Sequence, residues 1–189
     1  MSPEVSMLVV DTGFVQKWSN NYDKEYQGSY DQNEEKAIRH WLSNQGEPKY
    51  LNKEYFVRLG RWKTKRQTSN YKANDESKII EKTRSAYQAS GELTKLNILA
   101  ELKGVGVAVA STILHFLQPD TFPIFDYHAR TTLKKAGLWN REIGDASKRA
   151  WMDYVDIMRT LSRRLDVTLR NLDKALFAYD KYHDKYKDV

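Results

Sequence analysis

Cysteine is absent from the 189 residues, which removes any disulfide framework and any site built on thiolate ligands. His40, His115, His128 and His183 lie far apart in the chain and form no ligand-spaced cluster, so the sequence gives metal catalysis no support. No apolar run reaches the length of a membrane span, and the Met7 to Val10 stretch, followed by Asp11, is too short for a secretory signal. Together these absences set the expectation of an intracellular protein with no membrane partner. There is no Walker loop, nucleophile elbow or dinucleotide fingerprint. Solenoid-period repeats and low-complexity tracts are also missing. No long glycine- or proline-rich linker divides the chain, so residues 1–189 are read as a single domain.

What is present is an ordinary globular composition, 40% apolar and 30% charged, with a formal net charge of +6 and a pI near 9.3. The basic excess favours a polyanionic partner, because neutralising phosphates drives much of nucleic-acid affinity. Its distribution is more informative than its size. Arg58, Arg61, Lys63, Lys65 and Arg66 surround Trp62 in RLGRWKTKR; the cluster reads equally well as a set of phosphate contacts or as a solvated helix end. A smaller group, Arg159, Arg163 and Arg164, has Asp153, Asp156 and Asp166 nearby to pair with.

Period-two runs of β-branched residues scarcely occur outside Val5 to Val10, whereas helical spacing recurs almost everywhere, so the chain is read as all-α. One helix follows Asp31 with Ala37, Ile38, Trp41 and Leu42 inward; another starts near Asn52 and buries Phe56, Val57 and Leu59. A polar passage, Thr64 to Ala73, comes next, and Asn74 is read as the cap of the following helix. Later, Ala150, Trp151, Tyr154, Val155, Met158 and Leu161 mark a long amphipathic helix. Leu169, Leu172, Leu176, Phe177 and Tyr179 mark a last one, with Asp173 and Lys174 assigned to its other faces. The tail from Lys181 to Val189 is expected to fray.

The segment Leu102 to Arg130, LKGVGVAVASTILHFLQPDTFPIFDYHAR, carries most of the functional signal. Leu93, Leu96, Ile98, Leu99 and Leu102 predict a helix before Gly104-Val105-Gly106, and Val107, Ala110, Ile113, Leu114 and Leu117 predict one after it. A turn this short requires glycine conformations, and unpaired amides at the start of the second helix suit an anion. A tight αα-hairpin without a ligand has the same sequence pattern. Pro119 and Pro123 then bracket an extended crossing, and Asp126 reads as the N-cap of a helix closing at Gly137.

From Leu102 to Arg130 the chain resembles the helix-hairpin-helix DNA glycosylase superfamily. Leu102, Gly104, Val105 and Gly106 match its L-x-G-[VI]-G hairpin, and Asp126 with His128 matches its D-x-H aspartate. The resemblance implies two helical lobes meeting at a cleft, with the hairpin region at about 93–118 and the other lobe formed by residues 1–73 and the carboxy-terminal helices. It implies a double-stranded DNA substrate, Asp126 as the catalytic carboxylate, and a phosphate grip at Lys103, Gly104, Val105 and Gly106. A monovalent cation bound through backbone carbonyls near Leu102 and Val105 is also implied. Three departures qualify it: Ala108 stands where bifunctional relatives carry the Schiff-base lysine, Lys103 replaces the usual hairpin proline, and without cysteine the iron-sulfur cluster of some relatives is excluded.

The expectation is therefore a monomeric, monofunctional glycosylase that removes a damaged or mispaired base by water attack and needs no cofactor. The alternative is a DNA-binding protein that grips phosphates without chemistry. Arg61, Lys63, Lys65 and Arg66 are the further DNA-contact candidates, and Trp62, Tyr127 and Trp139 are candidates to stack on a flipped base, with core packing the competing role for each aromatic. His128 is assigned structural support beside Asp126, and Asp126 itself would serve equally well as a plain helix cap.

Overall fold

Six helices begin on a side chain that turns back to accept a first-turn amide: Asp11, Ser29, Asn52, Asp126, Ser147 and Thr168. Each such cap satisfies a donor that the helix cannot satisfy itself and stabilises it by about 1 kcal/mol. In the computed structural model, which describes residues 7–186, ten α-helices and no strand occur among the described residues. The fold is all-α. The helices are α1 (Thr12–Tyr26), α2 (Tyr30–Ser43), α3 (Lys53–Lys63), α4 (Thr68–Lys72), α5 (Glu76–Gln88), α6 (Glu92–Ala100), α7 (Val107–Leu117), α8 (Tyr127–Lys135), α9 (Lys148–Leu165) and α10 (Leu169–Tyr182). No helix among the described residues is long and apolar enough to cross a membrane.

Helix α7 is the hub of one half of the molecule. Every residue from Val109 to Leu117 is buried, because α2, α3, α5 and α6 pack around it. In the other half α10 lies against α1, α8 and α9. There Trp151, Tyr154, Phe122 and Phe125 are essentially inaccessible, and each such side chain contributes roughly 1.5–3 kcal/mol of burial free energy. Of the amino-terminal helices, α1 packs on α10, while α2 and α3 pack on α7. The helices of residues 30–63 thus lie with the hairpin helices, where the resemblance implied a place with the carboxy-terminal helices.

Several local expectations change. Helix α1 was not visible in the pattern, since its inward set of Val15, Trp18, Ser19, Asn21 and Tyr22 mixes polar with apolar residues. The passage after Thr64 is not structureless: a 3-10 turn at Lys65–Gln67 leads into α4, which buries Tyr71. Asp75, not Asn74, occupies the N-cap of α5, because Asn74 is buried and committed elsewhere. Residues 7–10 form no strand, and the rest of the Val5 to Val10 run lies outside the described residues. The carboxy-terminal segment stays ordered as a 3-10 turn, His183–Tyr186, held by bonds from Lys185 Nζ (2.5 Å) and the Tyr186 hydroxyl (2.6 Å) to Glu25; the tail beyond Tyr186 is outside the described residues.

Candidate functional site

The chain reaches Asp126 along a pinned path. Leaving α7, the Phe122 carbonyl meets His115 Nδ1 at 2.7 Å, and the Phe125 amide donates to Ser111 Oγ at 3.0 Å. His115 is fully buried and also meets Arg39 at Nε2. Burial and the neighbouring Arg39 and Arg170 charges push its pKa down to about 3, so the neutral ring donates from Nδ1 and accepts at Nε2. The expected extended crossing between the prolines is shifted along the chain: residues 118–121 turn, with the Thr121 and Phe122 amides donating to the Gln118 carbonyl. The pinned strap that delivers Asp126 to the start of α8 is the stretch 122–126.

Both oxygens of Asp126 are engaged. Oδ1 accepts the His128 amide at 2.8 Å, and Oδ2 accepts from Lys63 Nζ, at the end of α3, at 2.8 Å. Burial alone would raise the carboxyl's pKa, but the Lys63 ammonium and the helix-start amide outweigh it and hold the group below the usual carboxylate range. Asp126 is thus a desolvated yet ionised carboxylate.

It lines a cavity of about 170 Å³ whose walls come from five parts of the chain, Asp31 of α2 among them. Helix α1 contributes Tyr22 and Tyr26, stacked with centroids 4.5 Å apart. Trp62 and Lys63 come from α3, and Trp62 is fixed by donating its Nε1 hydrogen to the Asp31 carbonyl at 2.9 Å. Ile124 and Asp126 come from the strap, and Arg170, Asp173 and Phe177 from α10. Arg170 ties this wall together: it meets Glu35 Oε2 at 2.6 Å, Asp173 Oδ2 at 2.6 Å and the Tyr22 hydroxyl at 3.2 Å. Although burial opposes it, the Arg170 and Arg39 charges hold Glu35 down at about 2. Asp173 moves the other way. Burial raises it to about 6, helped by the Asp126 charge and resisted by Arg170 and Lys63.

The glycine turn joins α6 to α7 away from this cavity. Gly104 adopts φ +84°, and a Cβ there would stand 3.0 Å from both Asn70 Cβ and the Tyr71 ring. Its missing side chain therefore admits the protein's own α4. Gly106 has open space where a Cβ would be, and it precedes the first amides of α7. Asn74 clamps the turn from both sides, accepting the Lys103 amide at 2.8 Å and donating to the Lys103 carbonyl at 3.1 Å. This bridge accounts for the displaced cap of α5.

Of the sequence-predicted residues, the cavity gathers Asp126, Lys63 and Trp62. Lys63 meets a carboxylate instead of standing free for DNA, whereas Lys65 and Arg66 are exposed and Arg61 is half-buried. Trp139 is 2% exposed, packed edge-on to Tyr154 inside the core, and so is not available to stack on a base. Tyr127 points to the surface at 57% exposure. The His128 ring pairs with Asp180 at 2.8 Å, and its hydrogen bond to Asp126 comes from the backbone amide. Lys103 is exposed, with Nζ 3.5 Å from the Ala73 carbonyl; Val105 and Leu102 are buried, the Val105 amide donating to the Leu102 carbonyl at 3.1 Å. Sequence reasoning missed Tyr22, Tyr26, Arg170, Asp173 and Phe177. One signal was available: Asp173 falls within the Leu169, Leu172, Leu176 stripe, and an acid on an apolar stripe is buried for a reason. Among the described residues no group of three or more His, Asp or Glu is placed to hold a metal ion.

No protein-family model, curated protein or solved structure matches the chain, so the site's own chemistry carries the functional reading.

Proposed function

We propose that this chain is a monofunctional DNA glycosylase that hydrolyses the bond between a damaged or mispaired base and its sugar in base excision repair. The observation that carries this reading is the ionised, desolvated Asp126 on the wall of an aromatic cavity. Breaking an N-glycosidic bond develops positive charge on the sugar, and a fixed carboxylate stabilises that charge best where water is excluded. The base must first leave the duplex. The Tyr22, Tyr26, Trp62 and Phe177 side chains give the cavity that would receive it an aromatic lining, while Lys63 keeps Asp126 in the form the reaction uses. With Ala108 in the hairpin, a water molecule supplies the nucleophile.

The segment from Lys65 to Tyr71 runs from the cavity to the turn at Gly104, so exposed Lys65 and Arg66 lie along the path of a duplex that reaches both. Phosphates on that path would meet Lys103, the open backbone at Gly106 and the amides of α7. A cation on the hairpin carbonyls fits only in part, because the Leu102 oxygen already accepts the Val105 amide; no step depends on one. Such an enzyme works on chromosomal DNA inside the cell, as a monomer.

The second reading, a DNA-binding protein without chemistry, draws on the same two bonds of Asp126, which also suffice for a structural cap and ion pair. Asp126→Asn separates the two. It keeps the capping oxygen and removes the charge. The glycosylase reading expects unchanged folding and DNA affinity with single-turnover base release reduced by about 100-fold or more. Release at the wild-type rate would remove Asp126 from the chemistry.

A further inference from the structure

The cavity holds a second carboxyl group whose arrangement the Asp126 chemistry does not use. Asp173 is 4% exposed. Its Oδ2 accepts from Arg170 at 2.6 Å, but its Oδ1 is buried with no hydrogen-bond partner. A buried carboxylate oxygen without a donor is costly, whereas a carboxylic acid whose Oδ1 carries a proton is a donor awaiting an acceptor. Asp173 lines the cavity, the route by which an acceptor would arrive. The groups facing it favour the acid form in part: Asp126 opposes a second negative charge, Arg170 and Lys63 favour one, and the Tyr22 and Tyr154 hydroxyls are neutral neighbours. Arg170 divides its charge between Asp173 and Glu35. Two carboxyl groups of this pocket, Asp126 held ionised and Asp173 raised to about 6, match the usual division of labour in glycosidic hydrolysis.

We propose that Asp173 is the general acid of this site, donating the Oδ1 proton to a ring nitrogen or carbonyl oxygen of the departing base, and that the site therefore takes uncharged lesion bases. The inference rests on the glycosylase reading and narrows its substrate. As the bond to C1′ breaks, its electron pair stays with the base, and the proton from Asp173 neutralises the charge that would otherwise build there. Water adds to C1′ beside Asp126 and gives up its proton to solvent, from which Asp173 is reprotonated. A cationic N-alkylated base leaves as a neutral molecule without this help, so a general acid has no task on it.

Single-turnover release is measured from duplexes carrying hypoxanthine or uracil, both uncharged, and 7-methylguanine, a cation, with wild-type protein, Asp173→Asn and Asp173→Glu. Wild-type release of the uncharged bases should decline as pH rises above about 6. Asp173→Asn should lower it by about 100-fold and remove that decline, with a much smaller loss on 7-methylguanine, and Asp173→Glu should restore part of the rate. Equal losses on both classes of base in a folded variant would overturn the proposal. Binding of free adenine, followed by tryptophan fluorescence at about pH 5 and about pH 8, gives a readout independent of turnover. It should be tighter at the lower pH in the wild type and pH-independent in Asp173→Asn. Base release without any Asp173 dependence would sink the general acid and leave the glycosylase standing. Asp173-dependent base binding without release from any duplex would sink the glycosylase and the acid step while keeping Asp173 as a base-recognition residue. Silence in both assays would sink both.

Discussion

Lys63 Nζ stands 2.8 Å from Asp126 Oδ2, joining the last residue of α3 to the first capping position of α8. The two side chains are 13% and 18% exposed, so the pair is screened less than a surface salt bridge. Its effect on Asp126 is directional: burial pushes the carboxyl up and Lys63 holds it down.

Lys63→Met removes that charge and leaves burial opposed by the helix-start amide and the His128 charge. The Asp126 pKa should then rise, and base release should fall most at the acid end of the pH range, recovering as pH rises through the new value. Wild-type Asp126 stays ionised throughout the same range. A variant whose pH–rate profile keeps the wild-type acid limb would show that Lys63 does not set the charge state of Asp126.

The glycine turn gives an asymmetric pair of variants. Gly106→Ala adds a methyl in open space at φ −91°, so the fold should persist while DNA of any sequence binds more weakly. Gly104→Ala meets Asn70 and Tyr71 at 3.0 Å and sits at φ +84°, so it should lower stability by about 1 kcal/mol or more and is a poor probe of DNA contact. Combining Lys65→Ala with Arg66→Ala should reduce the slope of log affinity against log salt by about 1.8. Wild-type-like affinity in Gly106→Ala and an unchanged slope in the double variant would remove this surface from the DNA path.

What the sequence revealed was local. The helices on either side of Gly104, the extended strap and the Asp126 cap each follow from spacing, proline and capping chemistry within a few residues of one another. The all-α class followed from the same periodicity. The far wall of the cavity did not, since Arg170 and Glu35 are 135 residues apart and no periodicity announces that two such residues meet. Helix α1 was hidden because its apolar content lies in Trp18 and Tyr22, spaced among lysines and asparagines. Trp139 and Trp62 look alike in the sequence, yet one is core and the other lines the site. Only the packing of α9 separates them.

Acid stability tests the buried charges. His115 has a folded pKa near 3, below its ordinary 6.5, so the unfolded chain takes up a proton first and stability is lost as pH falls below about 6.5. Asp173 acts in the opposite sense: its folded pKa of about 6 lies above the ordinary 3.8, so the folded state takes up the proton first and gains stability as pH falls through 6. The two largely offset each other until Glu35, folded at about 2 against 4.5, begins to lose its contribution. Urea titrations should therefore show wild-type stability nearly level between about pH 6 and about pH 4.5 and falling steeply below that. Asp173→Asn removes the opposing group, so its stability should decline from about pH 6 downward. Parallel curves for the two proteins would mean that Asp173 is not held as the acid in the folded state.

Covalent trapping tests the nucleophile. Ala108 offers no amine at the hairpin, and the amine that does line the cavity, Lys63, is tied to Asp126 at 2.8 Å. An amine engaged with a carboxylate is not free to attack C1′. Lys134 and Lys135 are turned to Arg141 and Asp180 on the outer part of α8. Borohydride added during turnover should therefore trap no protein–DNA adduct, and strand breaks should appear only after alkali treatment of the abasic product. A trapped adduct that disappears in Lys63→Met would instead show that Asp126 takes the proton from Lys63 during the reaction, freeing the amine to act as the nucleophile and making the enzyme bifunctional without a hairpin lysine.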